Sequence, residues 1–289
     1  VSHTSDLETG EQLLRMDSAT LATALQISVP EARREIQCLL THALGIDLAA
    51  LLARPERVIT ARASSAYSRA FTRRLGGEPM AYVLGAREFY GLSFEVGPDV
   101  LIPRPETELL VEIALDRLLE DAPSATLDLG TGSGCIAVAL AKLRPAAKVV
   151  ATDLSHAALA VAERNARKQR VANVEFRAGN WFEPLRGERF DLIVSNPPYV
   201  AERDPHLLEG DLRAEPSLAL VAGSGGLEAL RAIISQSPQH LMPDGVLLVE
   251  HGYKHADAVA RLLDAAGFVD LIARADLAGI PRVAGGRRP

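Results

Sequence analysis

Residues 126–153 read TLDLGTGSGCIAVALAKLRPAAKVVATD, and this stretch decides the fold. Residues 126–130 are a short apolar run ending in a glycine turn. Residues 134–143 are dense in Ala, Val, Leu and Ile at helical spacing, and 148–153 (KVVATD) is β-branched again. Strand, tight turn, helix and strand make one βαβ unit, whose crossover sets the two strands parallel. The alternation continues downstream. Helices are expected at 155–169, 226–240 and 254–266, and strands at 174–179, 190–196, 246–250, 268–274 and 281–286. Seven strands interleaved with helices predict an α/β domain, a parallel sheet with helices on both faces. Such sheets take ligands beyond the carboxyl ends of their strands.

Upstream the pattern differs. PEARREIQCLLTHAL (30–44) opens on Pro30 and Glu31, repeats Ile36, Leu39, Leu40, Ala43 and Leu44 at helical spacing, and stops at Gly45. Residues 61–77 form a second helical pattern ended by Gly76 and Gly77. Short aromatic runs broken by Gly85 and Gly91 predict a β-hairpin within 82–96. Pro103 and Pro105 then impose an extended run before a helix from Glu106. The expected organisation is a helical domain at 1–80, a β-hairpin linker at 81–102 and the α/β domain at 103–289.

Composition narrows the classes. The chain has 289 residues, of which 48% are hydrophobic and 24% charged, which fits about two folded domains and excludes a disordered chain. No apolar run reaches the roughly 18 residues of a membrane span, and the first 20 residues show no apolar secretory core. Two cysteines, Cys38 and Cys135, make no disulfide framework, so a reducing cytoplasm is the expected setting. Residues 1–80 carry nine basic and nine acidic side chains, and the net charge is −6. Neither part is basic enough for stable nucleic-acid binding to be expected.

The glycine turn Asp128-Leu-Gly130-Thr131-Gly132-Ser133-Gly134 follows the first strand. It lacks the third glycine of a dinucleotide fingerprint, because Cys135 stands there, and it lacks the Gly-Lys-Ser/Thr of a phosphate loop. An adenosine ligand without phosphates suits it better. Asp153, at the end of the next strand, can accept from both ribose hydroxyls. This pairing resembles the class I S-adenosylmethionine-dependent methyltransferases, with their Rossmann-like sheet.

Asn196-Pro197-Pro198-Tyr199 follows the apolar strand 190–194. The lone pair of a planar nitrogen is delocalised, and its two N–H groups need acceptors. The Asn196 side-chain oxygen and the Pro197 carbonyl supply two, and prolines offer no competing N–H. Orientation of the nitrogen then carries much of the rate, and no strong base is needed. Tyr199 gives a flat wall. The tetrapeptide resembles the N-P-P-Y/F element of enzymes that methylate planar nitrogen.

EFYGL (88–92), LIPRPETE (101–108), NWFEPL (180–185), VSNPPYV (194–200) and the ending DLAGIPRVAGGR (276–287) narrow the resemblance. Together they are similar to the release-factor glutamine N5-methyltransferase family, PrmC or HemK. That resemblance implies methyl transfer from S-adenosylmethionine, giving S-adenosylhomocysteine, to the glutamine of the Gly-Gly-Gln motif in class 1 peptide-chain release factors. It also implies substrate recognition by the N-terminal helices. By resemblance, Gly130, Thr131, Gly132, Ser133 and Gly134 take the methionine part of the cofactor, Asp153 the ribose and Trp181 the adenine region, with Asn196 adjoining. Asn196, Pro197, Pro198 and Tyr199 take the amide, and Arg104, Glu106 and Thr107 line the same pocket. Asn180 stands where many relatives carry an acid.

Several features are set aside. Glu250, His251 and His255 have the wrong order for a metalloprotease helix, and no metal site is expected. Cys135 reads as a buried small residue, and the arginines at 33–34, 54, 57, 62, 69 and 73–74 read as a solvated helix surface. Residues 201–225, long and punctuated by Gly and Pro, are a candidate lid. Two other functions remain open on sequence: methylation of a nucleobase exocyclic amine, and a non-catalytic binding module that keeps the fold.

Overall fold

Side-chain caps start the longer N-terminal helices. Thr9 and Gln12 form a reciprocal capping box at α1 (Gly10–Leu25). Ser28 caps α2 (Val29–Leu44), Asp47 caps α3 (Leu48–Ala53) and Thr60 caps α4 (Ala61–Leu75). A short α5 (Met80–Leu84) follows. A computed structural model describes residues 9–208 and 210–289; residues 1–8 of the expected helical domain and Glu209 of the expected lid lie outside it. Leu14, Leu21, Ile36, Leu39, Leu40 and Tyr67 make the core of this helical unit, which runs to Gly85. Arg74 is buried against Glu35 through two parallel bonds of 2.7 and 2.9 Å, so it braces the unit rather than joining a solvated basic face.

The second compact unit begins at Ala86. The helix α5 occupies the first residues of the expected hairpin and ends at Gly85 with φ +69°. The hairpin itself is β1 (Ala86–Phe89) and β2 (Leu92–Glu95), turning at Tyr90 and Gly91, both at positive φ. It packs inside the second unit. Asn165 of α8 (His156–Gln169) bonds both the N–H and the C=O of Glu95, and Phe89 and Phe94 are buried. Pro105–Thr107 form a 3-10 turn, so α6 starts at Glu108 and runs to Arg117.

The large sheet contains β3 (Ser124–Leu129), β4 (Ala147–Asp153), β5 (Val174–Ala178), β6 (Phe190–Ser195), β7 (Leu241–Glu250), β8 (Val269–Ala275) and β9 (Pro281–Arg287). Their order is β5-β4-β3-β6-β7-β9-β8. The helices α7 (Cys135–Leu143), α8, α9 (Ser217–Leu220), α10 (Glu228–His240) and α11 (Ala256–Ala265) connect or flank them. Seven strands with helices on both faces match the expectation from sequence. The sheet is mixed rather than wholly parallel: β9 runs antiparallel to β7 and to β8. The cause is the β8–β9 connection at residues 276–280, too short for a crossover.

Alternation along the strands divides two cores. Leu192, Val194, Val246 and Leu248 face Leu110, Ile136 and Leu140 on one side. Ile193, Leu247 and Val249 face Leu230, Ile233, Val259 and Leu263 on the other. Among the described residues no helix is long and apolar enough to cross a membrane.

Candidate functional site

Strand register builds the site. Leu129 of β3 lies level with Thr152 of β4 and Ser195 of β6, and Ser195 lies level with Val249 of β7. The next residues, Gly130, Asp153, Asn196 and Glu250, therefore form one row at the carboxyl edge of the sheet. Beside it is a cavity of about 390 Å³, lined in part by Gly130, Gly132, Asp153, Asn180, Trp181 and Asn196.

The glycine turn is held by the neighbouring strand. The N–H groups of Gly130 and Thr131 both donate to the Thr152 carbonyl, at 2.9 and 3.0 Å. Gly130, Gly132 and Gly134 all have positive φ. A Cβ on Gly130 would meet the Trp181 ring at 3.2 Å, so glycine lets the indole close over the turn. Trp181 is only partly buried: its ring packs on the core beneath and also lines the cavity. Asp153 is fixed at both oxygens, by the Gly132 N–H at 2.8 Å and the Ser155 N–H at 2.8 Å. Burial raises its pKa against those bonds, and each oxygen keeps a further lone pair for a ligand hydroxyl.

Thr131, Ser133 and Gly134 do something other than line the cavity. Thr131 donates to Asp128 at 2.7 Å, the Ser133 carbonyl accepts from Asn165 at 2.9 Å, and Gly134 starts α7 against Ala162 of α8. They shape the turn from within. Asp128 is fully buried, one of its oxygens has no hydrogen bond, and burial pushes its carboxyl up to about 7. Cys135 is buried and its thiol is pushed up to about 12, which leaves it unreactive, as expected.

Around Asn196, the side-chain N–H donates to the Thr107 hydroxyl at 3.0 Å. Thr107 thereby takes up the donor end of the amide and leaves the oxygen as the end available at the cavity. Pro198 also lines the cavity, and Pro197 is buried behind it. The Tyr199 hydroxyl donates to Glu250 at 3.1 Å, and its ring passes within 3.3 Å of where a Cβ on Gly252 would stand. Burial, then the Glu250 carboxylate, holds the Tyr199 phenol far above its ordinary range, so it stays protonated.

The PRPET residues separate. Thr107 reaches Asn196, but Arg104 is turned to an ion pair with buried Glu215, and Glu106 is exposed. Glu215 also accepts from the Ile102 N–H at 3.2 Å. The pair ties down the 201–225 segment, whose Pro216, Leu218, Ala219 and Val221 form one wall of the cavity. Among the described residues no cluster could hold a metal ion. Sequence reasoning missed Glu215, which lies in an irregular segment without a pattern. It weighed Glu250 only as part of a metal pattern, although its place at the end of an apolar strand repeats that of Asp153 and marks it as a residue of this edge.

The site suits S-adenosylmethionine. Gly130 and Gly132 leave backbone open to a ligand, Asp153 offers acceptors, and Trp181 offers a flat apolar wall in the same cavity.

Comparison with known proteins gives two family matches: the PrmC N-terminal domain over residues 12–85 and the methyltransferase small domain over residues 106–210. The chain is similar to the release factor glutamine methyltransferase of Burkholderia pseudomallei, with 50% identity over 94% of this chain and 97% of that one. The Bordetella pertussis enzyme of the same name is 51% identical over 88% and 94% of the two chains. Among solved structures, a methyltransferase from Pyrococcus furiosus superposes with a TM-score of 0.53 at 17% identity, covering 76% of this chain and 98% of that one. That likeness concerns the fold.

Proposed function

The chain belongs to the release factor glutamine methyltransferase family, and on that premise we propose that Asn196 and the Pro197 carbonyl hold the substrate amide for methylation. The protein is an S-adenosylmethionine-dependent enzyme that methylates a release factor glutamine. The finer reading places that glutamine in the Gly-Gly-Gln motif of class 1 release factors, in the cytoplasm, with residues 1–85 contributing to recognition of the protein substrate.

When bound, S-adenosylmethionine supplies an electrophilic methyl group on a sulfonium. Gly130 and Gly132 would hold its methionine part, Asp153 the ribose hydroxyls and Trp181 the adenine region. Asn196 Oδ1 and the Pro197 carbonyl accept the two N–H groups of the glutamine amide, which turns the nitrogen lone pair away from both. Fixing that orientation replaces a search over rotations with a single arrangement. Tyr199, protonated and half-buried, walls the planar amide and takes no part as a base. Pro198 adds a rigid apolar edge.

The observation that carries this reading is the Asn196–Thr107 bond, which presents the amide oxygen rather than the nitrogen at the cavity. A nucleobase amine is not favoured, since the relatives matched over most of the chain are named for release factors. The test is Asn196→Ala with cofactor binding measured alongside. Methyl transfer should fall by about 100-fold or more, the cost of removing one well-placed polar group from a reaction site, while cofactor affinity stays within a few-fold. Full activity would sink the assignment.

A further inference from the structure

We propose that Glu215 is a positioning residue for methyl transfer: its buried carboxyl group pins one wall of the cavity, residues 216–221, to the run 99–104, and so holds the cofactor cavity in place relative to the Asn196–Tyr199 turn. The inference rests on the cavity being the S-adenosylmethionine site and on the assignment of Asn196 given above.

The chain leaves the interior after Pro197. Among the described residues of 198–214 none is buried, and Glu215, 6% exposed, is where it returns. A carboxyl group at that point is costly unless it is bonded. Its two oxygens are used separately. Oε1 accepts from Arg104 Nη2, and Oε2 accepts the Ile102 N–H at 3.2 Å. Burial raises the carboxyl's pKa, while Arg104, and after it the Ile102 N–H, favour the charged form. Two directional bonds to one short run leave the wall a single position, where apolar contact alone would let it shift.

Both sides of this link lead to the two halves of the site. On one side Pro216 follows Glu215 at φ −63°, α9 makes a single turn, and Pro216, Leu218, Ala219 and Val221 line the cavity. The end of this wall is joined to the substrate turn. The Val200 N–H donates to the Leu220 carbonyl at 2.9 Å, and the Val200 carbonyl accepts from the Ala222 N–H at 3.0 Å. Val200 directly follows Tyr199. On the other side Val100 and Leu101 line the same cavity, and Thr107, a few residues beyond Arg104, holds Asn196. Pro103 and Pro105 stiffen that run. A four-residue helix has no stability of its own, so the wall depends on the fixings at its ends, Glu215 and Val200. A wall in place for only a fraction of the time lowers the apparent cofactor affinity by that fraction, and it also loosens the alignment on which the rate depends.

The experiment compares Glu215→Ala, Arg104→Met and the double variant. Leu118→Ala, a core truncation just past the far end of α6 from Thr107, is the control for lost stability alone. Each is measured for S-adenosylmethionine Kd and dissociation rate, for kcat at saturating cofactor and for Tm. Glu215→Ala should weaken cofactor affinity by about tenfold or more, through faster dissociation, and lower kcat by a similar factor, the size expected for losing a hydrogen bond to a charged group. Arg104→Met should move the same quantities in the same direction. The double variant should be no worse than Glu215→Ala, because both act on one link. Leu118→Ala should lose Tm and keep Kd within about twofold, since its cavity costs stability only. If Glu215→Ala folds poorly, Arg104→Met against Leu118→Ala still decides. Parent-like affinity and kcat in Glu215→Ala and Arg104→Met, losses that multiply in the double variant, or an equal loss of affinity in Leu118→Ala would overturn the proposal. Trp181→Ala, assayed for cofactor binding, and Asn196→Ala, assayed for methyl transfer, keep the ideas apart. If either behaves as the parent, the reading of the site fails and the proposal with it. If both are impaired while Glu215→Ala and Arg104→Met are not, only the role of Glu215 fails.

Discussion

Replacing Gly134 or Gly132 by alanine separates two costs that the glycine turn combines. Gly134 sits at φ +80°, and a Cβ there would lie 2.9 Å from the Ala162 Cβ and 3.1 Å from its Cα. Neither atom is the end of a flexible chain, so α7 and α8 would have to part. A left-handed conformation costs a non-glycine residue about 1–2 kcal/mol, and overpacking a tight contact adds about 1–3 kcal/mol. Gly132 sits at φ +54° with nothing within 4 Å of its Cβ position, so only the conformational cost applies. The two variants should differ in stability by about 1–3 kcal/mol, which for a unit of about 200 residues corresponds to about 2–12 °C in Tm. The single tryptophan, Trp181, lies in this unit, so its fluorescence reports the unfolding directly. Ligand binding should show the opposite order. The open space at Gly132 is the cavity itself, so Gly132→Ala should weaken cofactor binding more than its modest loss of Tm suggests. Equal Tm values, or a larger loss for Gly132→Ala, would refute the reasoning.

Three further outcomes follow from the site. Trp181→Ala should weaken S-adenosylmethionine binding by about tenfold, given the usual 1–3 kcal/mol for stacking on a base; calorimetry showing unchanged affinity would remove Trp181 from the adenine region. Glu215→Ala leaves Arg104 without its buried partner and the Ile102 N–H without an acceptor. Because Arg104 keeps some contact with solvent, the loss should be about 2–3 kcal/mol, below that for a fully buried pair, and a Tm within a degree of the parent would contradict it. Burial pushes the Glu250 carboxyl up to about 7 from an ordinary 4.5. The folded state therefore binds more protons than the unfolded state between those values, and this contribution to stability is present below about pH 4.5 and lost as pH rises through 7. Glu250→Gln should flatten that part of the Tm–pH curve, and an unchanged slope would argue against the raised pKa.

Much of the architecture was legible because it depends on local rules. The apolar runs at 126–130, 148–153 and 190–196 are buried strands, and polar residues at their ends, Asp153 and Asn196, mark the ligand edge. The direction of β9 was not legible as a parallel element, since a short return at 276–280 is the only local sign that it forms a hairpin with β8. Thr131 and Ser133 read as ligand contacts by resemblance, yet their side-chain and backbone bonds brace the turn. Arg104 read as pocket lining because its partner Glu215 is more than a hundred residues away in an irregular segment. Register between strands, which no single segment encodes, is what brings Glu250 beside Asn196.

The most direct measurement is transfer of labelled methyl from S-adenosylmethionine to a purified release factor, beside a copy whose Gly-Gly-Gln glutamine is replaced. Label on the first and none on the second is the predicted result. Label on both, or on neither while tRNA or rRNA becomes labelled, would contradict methylation of a release factor glutamine at this site.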